Sequence, residues 1–137
     1  MINLRLENTL LAHSDSYPNY KRNLINSFDL NIQPFSNNLI KRFGKGLFVD
    51  YFQTGILLFD TKLIEENTQQ ELINLAEEFP ITNTNEQAII ALYFILIKPR
   101  WKQIQLEGEK MKYYDFCRRQ NPKNKPYIIY KSDLIMK

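Results

Sequence analysis

Residues 51–60 constrain the fold more than any other part of the sequence. They consist of the uncharged stretch YFQTGILLF followed by Asp60. The first half is polar and carries Gly55, whereas the second half is continuously apolar. This junction predicts a tight turn followed by a buried strand over residues 56–59, with Gly55 at a bulge or a close approach of the main chain. Side chains of the turn would then lie at the rim of the strand.

Length and composition favour one ordinary domain. The 137 residues are 44% hydrophobic and carry a net charge of +3, which is too small to require a nucleic-acid partner. Cys117 and His13 each stand alone in their residue type, so neither an internal disulfide nor a usual zinc site can form. The start of the sequence lacks a signal-peptide pattern, and no apolar run is long enough to span a bilayer. The sequence therefore predicts a single cytoplasmic domain over residues 1–137.

Alternation, helical spacing and turn residues predict an α/β chain. A capping-box pattern at 68–71 opens the clearest helix, whose predicted end is near Phe79 before Pro80. Gly44 is predicted to close a helix that carries Phe35, Leu39, Ile40 and Phe43 on one face. The other predicted elements are strands at 9–13, 47–49, 101–106 and 127–130, and helices at 18–29, 88–97 and 109–120.

A second polar stretch, T-N-T-N-E-Q at 82–87, directly precedes the apolar residues 88–97. Thr84 and Gln87 have the spacing of a capping box, so these polar side chains could serve only to begin the helix. They could equally face a ligand. The sequence alone leaves both interpretations open.

Taken together, residues 51–60, the following helix, Asn85-Glu86-Gln87 and Pro99-Arg100-Trp101 resemble glycosyltransferase family 8 and related GT-A enzymes. That family pattern has a Y-F-N-[ST]-G strand, a helix, D-Q-D opening another helix, and a proline-containing segment before the next strand. The similarity covers about residues 50–104. It implies a partial GT-A-like layered fold, in which a small mixed sheet is flanked by helices, corresponding to the second half of a catalytic domain.

The resemblance also implies roles for individual residues. Glu86 and Gln87 stand where the family has Asp-Gln near the donor sugar, so they are the implied catalytic residues. A carboxylate there would stabilise positive charge developing at the anomeric carbon. The implied substrate-binding residues are Gln53, which stands where the family has Asn, together with Thr54, Gly55 and Arg100.

One family feature is missing from the sequence. GT-A enzymes hold a divalent metal through an Asp-any-Asp motif, but the only acidic residues two positions apart here are Glu107 and Glu109, after the donor region. We therefore expect a fragment or a degenerate enzyme. Manganese would bind only if a missing N-terminal half supplied the ligands. Otherwise basic residues such as Lys98, Arg100 and Lys102 would have to neutralise the diphosphate.

The function that the sequence predicts is a glycosyltransferase of the hexosyltransferase class, which transfers or binds a sugar from a UDP-sugar to an unidentified saccharide or protein acceptor. The alternative is a non-catalytic protein-interaction domain, with a partner chain completing the fold. We do not expect nucleic-acid binding through the basic residues 110–131. Nor do we expect a catalytic triad from His13, Ser14, Asp15 and Ser16, since polar loops are rich in these residue types.

Overall fold

The computed structural model describes residues 7–15 and 22–104, followed by strands at 106–107, 110–111, 114–117 and 128–131. The chain divides into two compact units, Met1–Lys102 and Gln103–Lys137. The first unit carries β1 (Leu10–Ser14), α1 (Phe35–Phe43), β2 (Phe52–Phe59), α2 (Thr68–Glu78), α3 (Glu86–Leu92) and the start of β3 (Trp101–Gln103). The second carries β4 (Leu106–Glu107), β5 (Lys110–Met111), β6 (Tyr114–Cys117) and β7 (Ile128–Lys131). The single domain expected over residues 1–137 stays a prediction.

The fold is mixed α/β, as predicted, with a small mixed sheet in the strand order β2-β1-β3. β1 and β2 are antiparallel, and the register shifts between Ala12, which pairs with Leu57, and Ser14, which pairs with Phe52. The extra residues of β2 at this shift include Gly55, so the predicted irregularity is confirmed. The predicted turn at 51–55 is wrong, because β2 already begins at Phe52, where pairing with β1 buries the main chain.

β1 is the centre of the hydrophobic core. All five of its residues are buried, and strands cover both of its edges. On the core side, Leu10 and Ala12 pack among buried residues of α3 such as Ala88 and Leu92. The Trp101 indole donates a hydrogen bond from Nε1 to the Ala12 carbonyl oxygen at 3.0 Å. Its ring also contacts Phe52, with 5.4 Å between the ring centroids.

Three of the helices predicted in the first unit form, as α1, α2 and the helix that begins with α3, although α2 begins differently from the prediction. α2 spans nearly the predicted range, but Thr68 is its first residue and not its cap. The Thr68 hydroxyl accepts a hydrogen bond from the Glu65 main-chain N–H at 2.9 Å, and the Glu71 carboxylate accepts bonds from the Asn67 amide and the Tyr93 hydroxyl. The capping-box prediction for α2 is therefore wrong, because tertiary and loop partners occupy both side chains.

The predicted apolar helix at 88–97 forms as α3 followed by a wider, π-helical turn over Tyr93–Ile97. Its first two turns bury Ala88, Ile89, Ala91 and Leu92, whereas Ile97 is partly exposed. No helix among the described residues is both long enough and apolar enough to cross a membrane.

Three other secondary-structure predictions are wrong where the structure describes them. In place of a helix over 18–29, the described part has a single 3₁₀ turn at Leu24–Ser27, after which Phe28 pairs with Thr82; residues 18–21 lie outside the described residues. The predicted strand at 47–49 gives way to a 3₁₀ turn at Gly44–Leu47. In place of a helix over 109–120, β5 and β6 form, and β6 pairs in parallel with β7, the strand predicted at 127–130. Non-local pairing outweighed helical spacing at both strands.

Gly44 ends α1 with φ +52° and ψ −126°, a conformation that is open almost only to glycine. No atom lies within 4 Å of the position that an added Cβ would occupy, so a side chain there would clash with no neighbour. It would destabilise the fold only through the strain of a positive φ. We expect Gly44→Ala to lower the free energy of unfolding by about 1–3 kcal/mol in urea titrations. Gly46→Ala is the matched control, because Gly46 has no positive φ and its Cβ would meet only the Leu96 side chain at 3.4 Å. Equal losses in the two variants would contradict this explanation.

Candidate functional site

Polar groups accumulate where β1 ends and β2 begins. The Asp15 N–H donates to the Tyr51 carbonyl oxygen at 2.9 Å, which ties the residue after β1 to the residue before β2. Beside it, the Ser14 hydroxyl donates to Asp50 Oδ1 at 2.7 Å, and the Tyr51 N–H donates to the same oxygen at 2.9 Å. The carboxyl end of the central strand is thus a hydrogen-bonded polar corner that sits directly on the apolar core.

Gln87 brings α3 to this corner. Its Oε1 accepts a hydrogen bond from the Thr54 main-chain N–H at 3.1 Å, and its Nε2 donates to Asp15 Oδ2 at 3.5 Å, at the long limit for such a bond. One side-chain amide therefore links β2, the end of β1 and the first turn of α3. We call Asp15, Thr54 and Gln87 the Gln87 junction.

The structure places four of the six predicted site residues at or next to this junction. Thr54 and Gln87 are bonded directly, and Gly55 follows Thr54 in an exposed part of β2. Gln53 lies in the same strand, but it is only 8% exposed. Gln53 is thus less available to a ligand than its position in a predicted turn suggested.

Glu86 lies on a different side of α3 from Gln87. It lines a groove of about 450 Å³ between α2 and α3, whose walls are mainly apolar side chains including Leu72, Ile73 and Ile89. Successive residues of a helix point about 100° apart, so adjacent positions at its first turn need not share a site. The implied pair Glu86 and Gln87 is therefore divided between the groove and the junction.

Arg100 is not brought to the junction. Its carbonyl oxygen accepts the Leu10 N–H at 2.9 Å, so it lies beside the beginning of β1, whereas Asp15 follows the end of that strand. Five residue steps of extended chain separate the two ends by roughly 16 Å. The Arg100 guanidinium instead bonds to Asn8 Oδ1 and to the Pro99 carbonyl oxygen.

Asn85 introduces backbone strain beside the junction. It precedes α3 with φ +50° and ψ −130°, a region that residues other than glycine rarely enter. The Gln87 N–H bonds to the Thr84 carbonyl oxygen at 3.2 Å, while the Thr84 hydroxyl is buried with no hydrogen-bond partner among the described residues. The capping-box reading of Thr84 and Gln87 is therefore wrong, and the Gln87 side chain is released for the tertiary contacts of the junction.

Tyr51 lies buried under the corner. Burial raises the pKa of Tyr51 to about 12, and the neighbouring Asp15 carboxylate acts in the same direction, while Arg22 and Ser27 oppose the rise. The hydroxyl is near Asp15 and Ser27, yet it forms no well-aligned hydrogen bond with any described residue. The uncharged form of Tyr51 is therefore the form that this site favours.

His13 and Ser14 do not follow the bonding order of a catalytic triad. His13 Nδ1 donates to the Ser14 carbonyl oxygen at 2.7 Å, and the Ser14 hydroxyl donates to Asp50. Asp15, the third residue of that sequence cluster, contributes to the Gln87 junction instead. These hydrogen bonds give the polar residues at the end of β1 a structural role.

Asp15 and Tyr51 are site residues that the sequence interpretation missed. One signal did exist for Asp15, because it is a charged residue that directly follows a buried, largely apolar strand. Within the described part of the chain, no three His, Cys, Asp or Glu residues are grouped closely enough to hold a metal ion. The described residues therefore do not fit the divalent metal that the resemblance implies.

Comparisons of the chain with models of protein families, with curated proteins and with solved structures found no match.

Replacing Asn85 with glycine should relieve the strain that precedes α3. We expect Asn85→Gly to raise the free energy of unfolding by roughly 1 kcal/mol in urea titrations, because glycine adopts φ +50° freely. Asn83→Gly serves as the control, since Asn83 is exposed and has no positive φ. That variant should be neutral or slightly destabilised, and stabilisation of both variants alike would argue against strain at Asn85.

Alkaline stability tests the environment of Tyr51. Below pH 10 the phenol is protonated in both the unfolded and the folded protein; as the pH rises from 10 toward 12, the unfolded chain loses the proton first, so stability falls. The pKa of Tyr93 is also raised, by burial and by Glu71, and adds to the fall. We expect Tyr51→Phe to lose roughly 1 kcal/mol less than the unsubstituted protein between about pH 8 and about pH 11. The stability of both proteins is measured by urea titration at the two pH values. If both lose the same free energy of unfolding between them, the raised pKa of Tyr51 is contradicted.

Proposed function

We propose that this chain forms the sugar-facing part of a GT-A-like glycosyltransferase site and binds the sugar of a nucleotide-sugar at the Gln87 junction. The observation that carries the proposal is the bond between the Thr54 N–H and Gln87 Oε1 at 3.1 Å, which joins residues 33 positions apart. These two residues come from the two stretches on which the family resemblance depends. Their convergence is what a common binding site requires.

The position of the junction in the sheet also supports a ligand site. Asp15 follows the carboxyl end of the central strand and lies beside the beginning of antiparallel β2, so polar groups of two strands meet at one end of the sheet. Thr54 is half-buried and Gly55 is exposed, so a ligand can approach the main chain of β2 closely there. The strained Asn85 lies two residues before Gln87 and lines the neighbouring groove between α2 and α3, and strain of this kind is concentrated at binding and catalytic sites.

The chemistry of the junction suits sugar hydroxyls. Gln87 uses Oε1 for Thr54 and one Nε2 hydrogen for Asp15, which leaves a second N–H and a second lone pair for a ligand. The Asp15 carboxylate is a hydrogen-bond acceptor with further capacity. A site that offers both donors and acceptors matches hydroxyl groups, each of which donates one bond and accepts two.

The proposal assigns sugar contacts to Gln87, Thr54 and Gly55, with Asp15 as an added contact. Arg100 is left out because it lies at the other end of β1. No step is assigned to a metal, since the described residues supply no ligand set for it. Arg22 is a cation close enough to the corner to lower the pKa of Tyr51, so it supplies positive charge beside the site.

Ligand-induced thermal stabilisation tests the proposal. We expect UDP-sugars, with or without manganese, to raise the melting temperature of the full chain, because a ligand that binds only the folded state stabilises it. Gln87→Ala should abolish this increase. Gln70→Ala is the matched control, since the Gln70 amide bonds only to Asn74 on the exposed side of α2 among the described residues, and its variant should respond like the unsubstituted protein.

The absence of any thermal shift across common nucleotide-sugars would overturn the proposal and favour the non-catalytic interaction domain. Because Gln87→Ala also removes two hydrogen bonds of the fold, its stability without ligand must be measured first by urea titration. A Gln87→Ala protein that is folded and still responds to UDP-sugar would place the ligand elsewhere.

A further inference from the structure

β2 lies at one edge of the three-stranded sheet, and no strand among the described residues pairs with its outer side. The strand is eight residues long, which exceeds the usual strand length of about 5–6 residues. Its first part is closed by the Thr54–Gln87 hydrogen bond from α3. The part after Gly55 has no such cover from the described residues.

The hydrogen bonds of β1 reveal which main-chain groups of β2 point outward. The Leu10 N–H donates to the carbonyl oxygen of Arg100, the residue that directly precedes β3 in the sequence. Because successive N–H groups of a strand point to opposite sides, the Leu11 N–H points toward β2. Leu11 is paired with Leu58, and these two residues therefore exchange hydrogen bonds. It follows that the main-chain N–H and C=O groups of Leu57 and Phe59, on either side of Leu58, point away from β1.

Beyond the register shift at Gly55, this edge lacks the charged residues and prolines that often prevent a further strand from adding to a sheet. Lysines, prolines and very short strands protect natural edges, and residues 51–59 contain no charged residue and no proline. The opposite edge of the sheet provides the contrast, because β3 is only three residues long and carries Lys102. Phe59 is also 37% exposed, so the open part of β2 presents apolar surface along with its main-chain groups.

We propose that the open edge of β2 pairs antiparallel with β2 of a second copy across a two-fold axis. Leu57 would then exchange main-chain hydrogen bonds with Phe59 of the partner subunit, and Leu58 would face Leu58 of the partner subunit. The absence of charge makes the edge compatible with itself, since no like charges are brought opposite each other. A two-fold axis closes this contact, so association stops at the dimer. The inference does not depend on nucleotide-sugar binding.

Sedimentation velocity over a concentration series tests the pairing. We expect the full chain to shift from monomer to dimer as concentration rises. Phe59→Pro removes the outward N–H at the last residue of β2, where proline costs the fold little, and should weaken association at least about tenfold. Phe59→Val is the matched control, because it shortens the same side chain but keeps the N–H, and it should still dimerise.

Hydrogen exchange on the unsubstituted protein gives a second readout that needs no variant. The amides of Leu57 and Phe59 should become more protected as concentration rises, whereas the Thr54 amide, already bonded to Gln87, should not change. A chain that stays monomeric at every concentration would overturn the proposal. A dimer that persists in folded Phe59→Pro, or that leaves the exchange of Leu57 and Phe59 unchanged, would overturn it as well.

Discussion

The burial of β1 on all sides is the constraint on which the rest of the first unit depends. A buried strand must have its main-chain groups satisfied along both edges, and β2 and β3 do this in the order β2-β1-β3. Trp101 then donates its indole N–H to Ala12 and packs on Phe52, which ties the two outer strands to the central one. α3 packs against β2 and contributes buried residues to the same core.

The polar end of β1 turns this structural requirement into a candidate site. Asp15 follows the apolar residues of β1 and lies beside a hydrophobic core, where polar groups need hydrogen-bond partners. Its N–H donates to the Tyr51 carbonyl oxygen, and its carboxylate accepts a bond from the Gln87 amide. In the proposed function, the remaining donors and acceptors of the same groups bind sugar hydroxyls. Structural and ligand-binding roles are therefore not exclusive here, and a variant such as Gln87→Ala affects both.

β2 has two different halves, and the difference arises from α3. Gln87 caps the Thr54 N–H at the beginning of the strand, beside the candidate sugar site. Beyond Gly55 the outer main-chain groups have no cover from the described residues, and the side chains are apolar. One strand thus carries the proposed ligand site at its start and the proposed dimer contact at its end, so the two proposals can be tested on separate residues.

The sequence by itself determined the features that depend on local chemistry. Gly44 ends α1 because only glycine readily adopts its positive φ, and helical spacing predicted α2 and the buried helix that starts with α3. It also indicated Thr54 and Gln87 as residues of one candidate site, and the structure brings them into contact. Only the tertiary structure decided which side of α3 Glu86 faces, where Arg100 lies, and that β6 is a strand and not part of a helix. Those outcomes depend on partners far apart in sequence, such as Gln87 with Asp15 72 positions away, which local spacing cannot encode.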